Sequence, residues 1–201
     1  MGQERIYGFR KGYLRRIKNC NAGNCMDKAD FLTWSRKYDK SFGWHAQRER
    51  ELGAKFRKAK VLTKEDLAKV VEWKFKDEPE KRQRVLALVA RNDEAAVCRL
   101  SSQALNIPSC EDAYRMNCLT LLEGVSPVLA SVILAFFDPK QYGILDTAVW
   151  KRLLGNPPPN MLTTQNYLKL LLAMRKTAAK QNLDVRTIDK ALFKKSLDES
   201  S

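Results

Sequence analysis

One aspartate, Asp146, stands directly before a short basic stretch with helical spacing in the segment ILDTAVWKRLLG. An aspartate in this position predicts a helix N-cap, because its carboxylate accepts hydrogen bonds from the first free backbone N–H groups. The helix dipole and those donors also favour a negative charge there. An ionised carboxylate that faces a substrate can stabilise developing positive charge or orient an attacking water. Asp146 is therefore either a structural cap or a catalytic group.

A second segment, LLEGVSPV, predicts a tight turn between two helices. Gly124 suits a left-handed backbone, Ser126 a helix N-cap and Pro127 the first helical turn. The backbone N–H groups at the start of the second helix would then form an anion site. An ordinary helical hairpin that binds no ligand is the alternative interpretation.

The elements that must position these residues are helices, because capping signals and helical periodicity run along the chain from about residue 28. The run Val128 to Phe137 is apolar almost all round and predicts a central buried helix. No segment alternates between apolar and polar residues as a strand would, so the predicted fold class is all-α. The other predicted helix starts share a capping residue or a proline, and they are Thr63, Pro79, Asn92, Ser109, Thr163 or Thr164, and Asp184.

Positive charge is the unusual feature of the composition. The chain of 201 residues has 37 Lys and Arg against 23 Asp and Glu, a net charge of +14. Residues 1–60 hold 16 basic and 6 acidic side chains, so the excess is concentrated at that end. A local basic surface favours an anionic partner such as nucleic acid, and the binding should weaken steeply with salt.

The turn, the buried helix and the aspartate element together resemble the helix-hairpin-helix/Gly-Pro-Asp superfamily of DNA glycosylases. The matching segments are LLEGVSPVLASVILAF and YGILDTAVWKRLLG, and the C-terminal LDVRTIDKALFKKS is similar to the end of small members of this group. The specific similarity covers Leu121 to Gly155, and a looser likeness in helix order extends over about residues 60–200.

The resemblance implies a two-lobed helical fold with an active cleft between the lobes. We expect a basic N-terminal arm at 1–25, and one helical lobe made of 26–60 and 160–201. The second lobe is a helical barrel at 61–156, which contains the helix-hairpin-helix at 110–137. The implied activity is removal of a damaged or mismatched base that has been flipped out of double-stranded DNA.

The resemblance also implies roles for single residues. The hairpin amides at Gly124, Val125, Ser126 and Val128 would hold a DNA phosphate, and Asp146 would face the sugar of the flipped nucleotide. The backbone carbonyls that would bind a monovalent cation, K+ or Na+, are those of Thr120, Leu122 and Val125. Lys151 and Arg152 follow Asp146 by about a turn, and we expect them to meet the DNA backbone or solvent.

Three departures from the family pattern change the expected chemistry. Val128 stands where bifunctional members carry a lysine, so we expect hydrolytic base removal without an efficient lyase step. The last cysteine is Cys118, whereas members with an iron–sulfur cluster use four C-terminal cysteines, so we expect no cluster. Ser126 replaces the second glycine of the usual Gly–x–Gly turn and could still donate its amide.

Aromatic residues and the single histidine are ambiguous in the sequence alone. The four tryptophans could be core residues or could stack on a flipped base, and for Trp73 we expect a core position. His45 is expected to be a surface or packed residue, because one histidine cannot build a histidine-based metal site.

Other functions remain as alternatives. The first alternative is a non-catalytic helix-hairpin-helix DNA-binding protein. The second is a role at a membrane surface or in protein interaction that the basic arm would carry. The apolar run Val128 to Phe137 is about half of the ~20 residues that a spanning helix needs. We expect a monomer without a membrane span that is cytoplasmic or nucleoid-associated, or nuclear in a eukaryote.

Overall fold

The computed structural model describes residues 26–107 and 111–200, and this part of the chain forms ten α-helices and no β-strand. The all-α prediction is therefore confirmed for these residues. The predicted arm at 1–25 lies outside them, as do Ser109 and Cys110. The helices are α1 (Lys28–Ser41), α2 (Gly43–Ala59), α3 (Lys64–Lys74), α4 (Pro79–Val89), α5 (Glu94–Asn106), α6 (Asp112–Thr120), α7 (Pro127–Phe137), α8 (Thr147–Leu154), α9 (Thr164–Gln181) and α10 (Val185–Asp198).

Local capping chemistry sets most of the helix starts. Thr63 and Asp66 form a reciprocal capping box before α3, with Asp66 donating its N–H to Thr63 Oγ1 at 3.2 Å. Thr163 is the N-cap of α9 and Asp184 precedes α10, as the sequence predicts. The predicted cap at Asn92 is wrong, because Asp93 accepts the N–H of Ala96 and begins α5.

The buried centre of the molecule is α7, in which every residue from Val128 to Phe136 is buried. Helix α2 packs on one side of it, and α3, α6 and α9 also contact it. Helices α1 and α10 pack extensively against each other, and α10 also packs on α8 and α9. The buried apolar side chains of all these elements form one cluster. Because this core encloses α7, both segments that flank that helix are fixed at its ends.

Helix α1 therefore meets the last helix, α10, and Glu49 of α2 forms an ion pair with Arg186 of α10, so residues 26–60 contact residues 160–200. Helix α2 nevertheless packs on α7 and α8 packs on α10, so contacts also join the two predicted lobes. The lobe boundaries stay a prediction. Among the described helices, none has both the length and the apolar character needed to cross a membrane.

Candidate functional site

The turn between α6 and α7 has the backbone that the sequence predicts. Gly124 adopts a positive φ of 78°, and Ser126 is the N-cap of α7 with Pro127 in the first turn. The Ser126 hydroxyl accepts the N–H of Leu129 at 3.5 Å. A side chain on Gly124 would also crowd α4, because an added Cβ would lie 3.0 Å from Leu88 Cβ. Glycine is therefore required at this position by conformation and by packing together.

Asn92 holds this turn in place, although the sequence suggested a different role for it. Its Oδ1 accepts the N–H of Glu123 at 2.8 Å, and its Nδ2 donates to the carbonyl of Glu123 at 3.0 Å. The same Nδ2 also donates to the carbonyl of Val89 at the end of α4. The Asn92 amide thus pairs with the hairpin backbone as a neighbouring strand would, and it fastens the turn to α4.

The hairpin leaves backbone donors free at the start of α7. The N–H of Val125 donates to the carbonyl of Leu122 at 3.1 Å, so this predicted phosphate donor is already used within the turn. Within the described residues, the N–H groups of Gly124, Ser126 and Val128 have no acceptor. Free N–H groups at the positive end of a helix favour an anion. Three of the four predicted amides therefore have no hydrogen-bond partner among the described residues.

Asp146 is the N-cap of α8, and its Oδ1 accepts the N–H of Ala148 at 2.8 Å. The loop before it is held by two buried side chains. Asp189 on α10 accepts the N–H of Ile144 at 2.8 Å, and the Ser131 hydroxyl accepts the N–H of Leu145 at 2.9 Å. Both bonds join the loop to the core, so Asp146 has a fixed position.

Ser131 connects the two halves of the candidate site. While its hydroxyl oxygen accepts from Leu145, the hydroxyl donates to the carbonyl of Val128 at 2.6 Å. Val128 belongs to the first turn of α7, and Leu145 immediately precedes Asp146. In the sequence Ser131 only interrupted an apolar run. In the structure it links the hairpin helix to the aspartate loop.

The hairpin and Asp146 line one cleft of about 680 Å³ between α3, α4 and the start of α8. Three cationic side chains line it as well: Lys74 from α3, and Lys81 and Arg84 from α4. Lys74 Nζ lies 3.7 Å from Asp146 Oδ2, and each of these side chains is about a fifth exposed, at 22% and 21%. Asp146 is thus open to a cleft that has positive charge along its walls.

The charges of the cleft differ in how they are paired. Lys81 forms an ion pair with Glu78 at 3.0 Å, whereas Arg84 is exposed and has no ion pair within the described residues. No pattern in the sequence pointed to these three cationic residues, apart from the basic segment PEKRQR of α4, which contains Lys81 and Arg84. Arg84 is therefore the cation of the cleft most available to a phosphate.

Two residues that were expected to meet the DNA backbone or solvent, Lys151 and Arg152, do not line the cleft. Lys151 is exposed on α8 but does not line the cleft. Arg152 is turned towards α10, where it donates to the Ser196 hydroxyl at 2.9 Å and to the carboxylate of Glu199. The sequence placed both on a basic helix, but the face of α8 that carries Arg152 packs on α10. Neither residue is therefore brought to Asp146.

The residues predicted to hold a monovalent cation also line the cleft. Thr120, Leu122 and Val125 all contribute to its wall, and the Leu122 carbonyl uses one acceptor site for the Val125 N–H. A carbonyl oxygen has a second lone pair that a K+ or Na+ ion could use. In the described part of the chain, His, Cys, Asp and Glu form no group of three or more that could hold a metal ion.

One aromatic residue lines the cleft, and none of the four tryptophans does, all of which are among the described residues. Phe75 lines it, while Trp73 is buried in the core as predicted and donates its Nε1–H to the carbonyl of His45 at 2.9 Å. His45 contacts Trp73 edge-on, and its partial burial, together with the nearby Lys76, lowers the pKa of its imidazole below the ordinary value. His45 is thus a packed, neutral residue away from the cleft.

No family model, curated protein or solved structure matches this chain. Its function must be inferred from the residues that the fold brings together. These are a fixed aspartate, a hairpin with three free amides, and a cationic wall.

Proposed function

We propose that this protein is a DNA glycosylase that binds double-stranded DNA and hydrolytically removes a damaged or mismatched base. The hairpin amides of Gly124, Ser126 and Val128 bind a phosphate of the target strand. Asp146 faces the sugar of the flipped nucleotide. Because Val128 supplies no amine, release of the base is not followed by an efficient lysine-based lyase step. The protein acts as a monomer and needs no iron–sulfur cluster, and a K+ or Na+ ion would support the hairpin through its carbonyls.

The observation that carries this proposal is the position of Asp146. Its carboxylate caps α8, and the backbone before it is hydrogen-bonded to the core. The side chain is 21% exposed and lines the same cleft as the hairpin. Lys74, Lys81 and Arg84 add positive charge along that cleft. A negatively charged DNA strand can therefore bind there through its phosphates while the carboxylate of Asp146 meets the sugar.

The chemistry follows from the charge that develops in the reaction. When the bond between the sugar C1′ and the base nitrogen breaks, the base departs with the bonding electrons and the sugar becomes positive. The Asp146 carboxylate stabilises that charge and accepts a proton from the water that adds to C1′. The departing base takes up a proton from solvent, and Asp146 afterwards releases to solvent the proton that it accepted, so the products are a free base and an abasic site and the carboxylate is regenerated. Damaged or mismatched bases are favoured, since flipping them out of the stack costs less.

The test is a panel of duplexes with oxidised, deaminated, alkylated or mismatched bases, followed by hot alkali to cut abasic sites. Asp146→Asn should abolish base release and leave duplex affinity within about threefold, because Asn caps a helix nearly as well as Asp. The matched control is Asp93→Asn, which changes the exposed N-cap of α5 outside the cleft. If Asp146→Asn turns over as fast as the control variant, Asp146 is not the catalytic group.

A non-catalytic DNA-binding protein is the second candidate, and one observation favours it. The Asp146 carboxylate already has two partners, the N–H of Ala148 and the ammonium of Lys74. These contacts are sufficient for a structural cap. Tight, salt-sensitive binding to duplex without release of any base in the panel would support this candidate and would contradict the glycosylase proposal.

A further inference from the structure

A second cavity, of about 220 Å³, lies at the end of α7 that is opposite the hairpin. Its walls come from α1, α2 and α10, and its floor is the last turn of α7 together with Pro139. It shares no lining residue with the cleft that contains Asp146. Because α7 has 11 residues and rises about 1.5 Å per residue, its two ends lie roughly 16 Å apart. The cavity is therefore a separate feature of the molecule.

Two arginines of α2, Arg50 and Arg57, line this cavity. They are about two helical turns apart, so both stand on the same face of α2. Both are exposed and neither forms an ion pair within the described residues, whereas Arg48 on the same helix pairs with Glu51. The described part of the basic segment, 26–60, contributes no side chain to the cleft. Part of the positive charge that is concentrated in the sequence before residue 60 is thus gathered at this cavity.

Arg57 is held in place at the end of α7. Its Nη1 donates to the carbonyl of Phe136 at 2.8 Å, which is one of the carbonyls that a helix leaves without a partner at its C-terminal end. Gly53 allows this approach, because a Cβ there would lie 2.6 Å from the Phe136 oxygen and 3.0 Å from Arg57 Nη1. The arginine also covers the negative end of the α7 dipole. A guanidinium has five N–H donors, so most of those of Arg57 are fixed in position and still free to bind a ligand.

Other side chains of the lining differ in whether they are already paired. The hydroxyls of Ser35 and Thr187 face the cavity and have no hydrogen-bond partner within the described residues. The carboxylates of Asp39 and Glu49 also line it, but Lys190 pairs with both, at 3.0 Å and 3.4 Å. These two carboxylates are therefore neutralised by the protein, and the hydroxyls add donors beside the arginines.

Asp184 is the lining carboxylate that opposes a bound anion. It stands at the N-cap position of α10, where it is exposed, and its side chain makes no capping hydrogen bond. It also has no ion pair within the described residues. Two unpaired guanidinium groups thus face one unpaired carboxylate, which leaves the mouth of the cavity positive. Removal of the Asp184 charge should strengthen the binding of an anion.

We propose that Arg50 and Arg57 form a binding site for a phosphate group at this end of α7. Two guanidinium groups and two hydroxyls offer donors in more directions than the two oxygens of a carboxylate can accept, whereas a phosphate has further acceptor oxygens. A cavity of about 220 Å³ is smaller than the roughly 300 Å³ at which pockets for whole small molecules begin. The site therefore holds the phosphate, while the group that carries it stays in solvent. This inference does not rest on the proposed function.

The test follows the side-chain Nε–H signal of Arg57 by NMR while inorganic phosphate replaces chloride at constant ionic strength. The signal, identified by its loss in Arg57→Gln, should shift and saturate. Arg50→Gln should weaken the phosphate affinity about threefold, and Asp184→Asn should strengthen it about twofold, since single exposed charges have effects of this size. Arg36→Gln is the matched control, because Arg36 is exposed on α1, has no ion pair within the described residues and does not line the cavity.

Three results would overturn the site, provided that thermal unfolding shows the variants to be folded. The first is an Arg57 signal that does not shift in a saturable way. The second is equal phosphate affinity in Arg50→Gln and Arg36→Gln. The third is an Asp184→Asn variant that binds phosphate no better than the wild type.

A short undamaged duplex, added in place of phosphate, distinguishes the two sources of a phosphate group. If the duplex shifts the Arg57 signal and Arg50→Gln lowers the slope of log affinity against log salt by about 0.9, the phosphate belongs to a nucleic acid backbone. If only inorganic phosphate shifts the signal, the ligand is a free phosphate compound.

The phosphate site and the glycosylase can fail separately. Asp146→Asn should leave the phosphate-induced shift of Arg57 unchanged, because the two sites share no residue. A saturable shift without base release from the lesion panel would keep the phosphate site and reject the glycosylase. Base release without such a shift would keep the glycosylase and reject the phosphate site.

Discussion

Asp146 and Lys74 form a pair of opposite charges in the cleft. Their 3.7 Å separation and partial exposure describe an ion pair that solvent screens, so the pair contributes roughly 0 to 1 kcal/mol to stability. The ammonium can therefore exchange the carboxylate for a phosphate at little cost. When a strand enters the cleft, this exchange would leave Asp146 facing the sugar.

Substitution of Lys74 tests this exchange. Lys74→Met should weaken duplex binding and reduce the slope of log affinity against log salt by about 0.9, the value for one phosphate contact. Its free energy of unfolding should change by less than about 1 kcal/mol, because the lost ion pair is partly exposed. Binding titrations at several salt concentrations and urea unfolding measure the two effects.

Lys180→Met is the control, because Lys180 is exposed near the end of α9 and does not line the cleft. The slope of log affinity against log salt for Lys180→Met should lie closer to that of the wild type than the slope for Lys74→Met does. If the slope of Lys74→Met equals that of Lys180→Met, Lys74 does not contact a phosphate.

At the scale of elements, the hairpin depends on a glycine that meets α4. Gly124 combines a φ of 78° with contacts of about 3 Å from an added Cβ to Leu88 and Val89, including the Val89 backbone nitrogen at 3.1 Å. Asn92 fastens the same turn to α4 through Glu123. Any change at Gly124 therefore disturbs both the free amides of α7 and the wall of the cleft that α4 provides.

Gly124→Ala should lower the free energy of unfolding by about 1 to 3 kcal/mol and weaken duplex binding, because a left-handed non-glycine residue is strained. Substitutions at two other glycines separate the strain of the left-handed backbone from the contact with α4. Gly155→Ala meets a φ of 82° but no atom within 4 Å, and Gly43→Ala has open space and an ordinary φ. Urea unfolding should rank the loss as Gly124 greatest, then Gly155, then Gly43. A neutral Gly124→Ala would contradict both the conformational and the packing requirement for glycine at this position.

At the scale of the whole molecule, a buried charge cluster ties α10 to α2 and to the loop before Asp146. Arg186 donates two hydrogen bonds of 2.9 Å to the Glu49 carboxylate and one of 2.5 Å to Asp189. Asp189 in turn accepts the N–H of Ile144. Lys190 lies 3.4 Å from Glu49. The position of Asp146 thus depends on helices from distant parts of the chain.

This cluster should make stability depend on pH. Burial raises the pKa of Glu49, but Arg186 and Lys190 outweigh burial and hold that pKa below its ordinary value. A carboxyl with a lowered pKa in the folded state stabilises the fold above its ordinary pKa, and this stabilisation is lost as the pH falls through the folded value. Burial raises the pKa of Asp189 despite Arg186 and the Ile144 N–H, so its protonation does not cause that loss.

Glu49→Gln should therefore cost roughly 3 to 5 kcal/mol at pH 7, because it leaves Arg186 buried with one charged partner fewer. The difference from the wild type should shrink as the pH falls below about 4.5. Glu51→Gln is the control, since Glu51 is on the same helix and forms an exposed ion pair with Arg48. Urea unfolding at pH 7 and at a pH below about 4.5 measures the free energy of unfolding of each variant. If the wild type and Glu49→Gln differ by the same free energy at both, the prediction is contradicted.

The local features of this protein follow from the sequence by itself. Thr63, Ser126, Asp146 and Thr163 cap their helices as predicted, because a cap involves only backbone groups within three residues of it. The apolar run from Val128 also predicts the buried position of α7, since a helix that is apolar all round has no face for water.

Only the tertiary structure decided which residues from other elements join the hairpin and Asp146 in the cleft. Lys74, Arg84 and Leu162 are far from Asp146 in sequence and come to it through the packing of α3, α4 and the segment before α9. Arg152, close to Asp146 in sequence, is turned to α10 and pairs with Glu199. Hydrogen bonds of a cap act over three or four residues. Which helix faces meet depends instead on how every buried side chain fits into one core, and no local pattern contains that information.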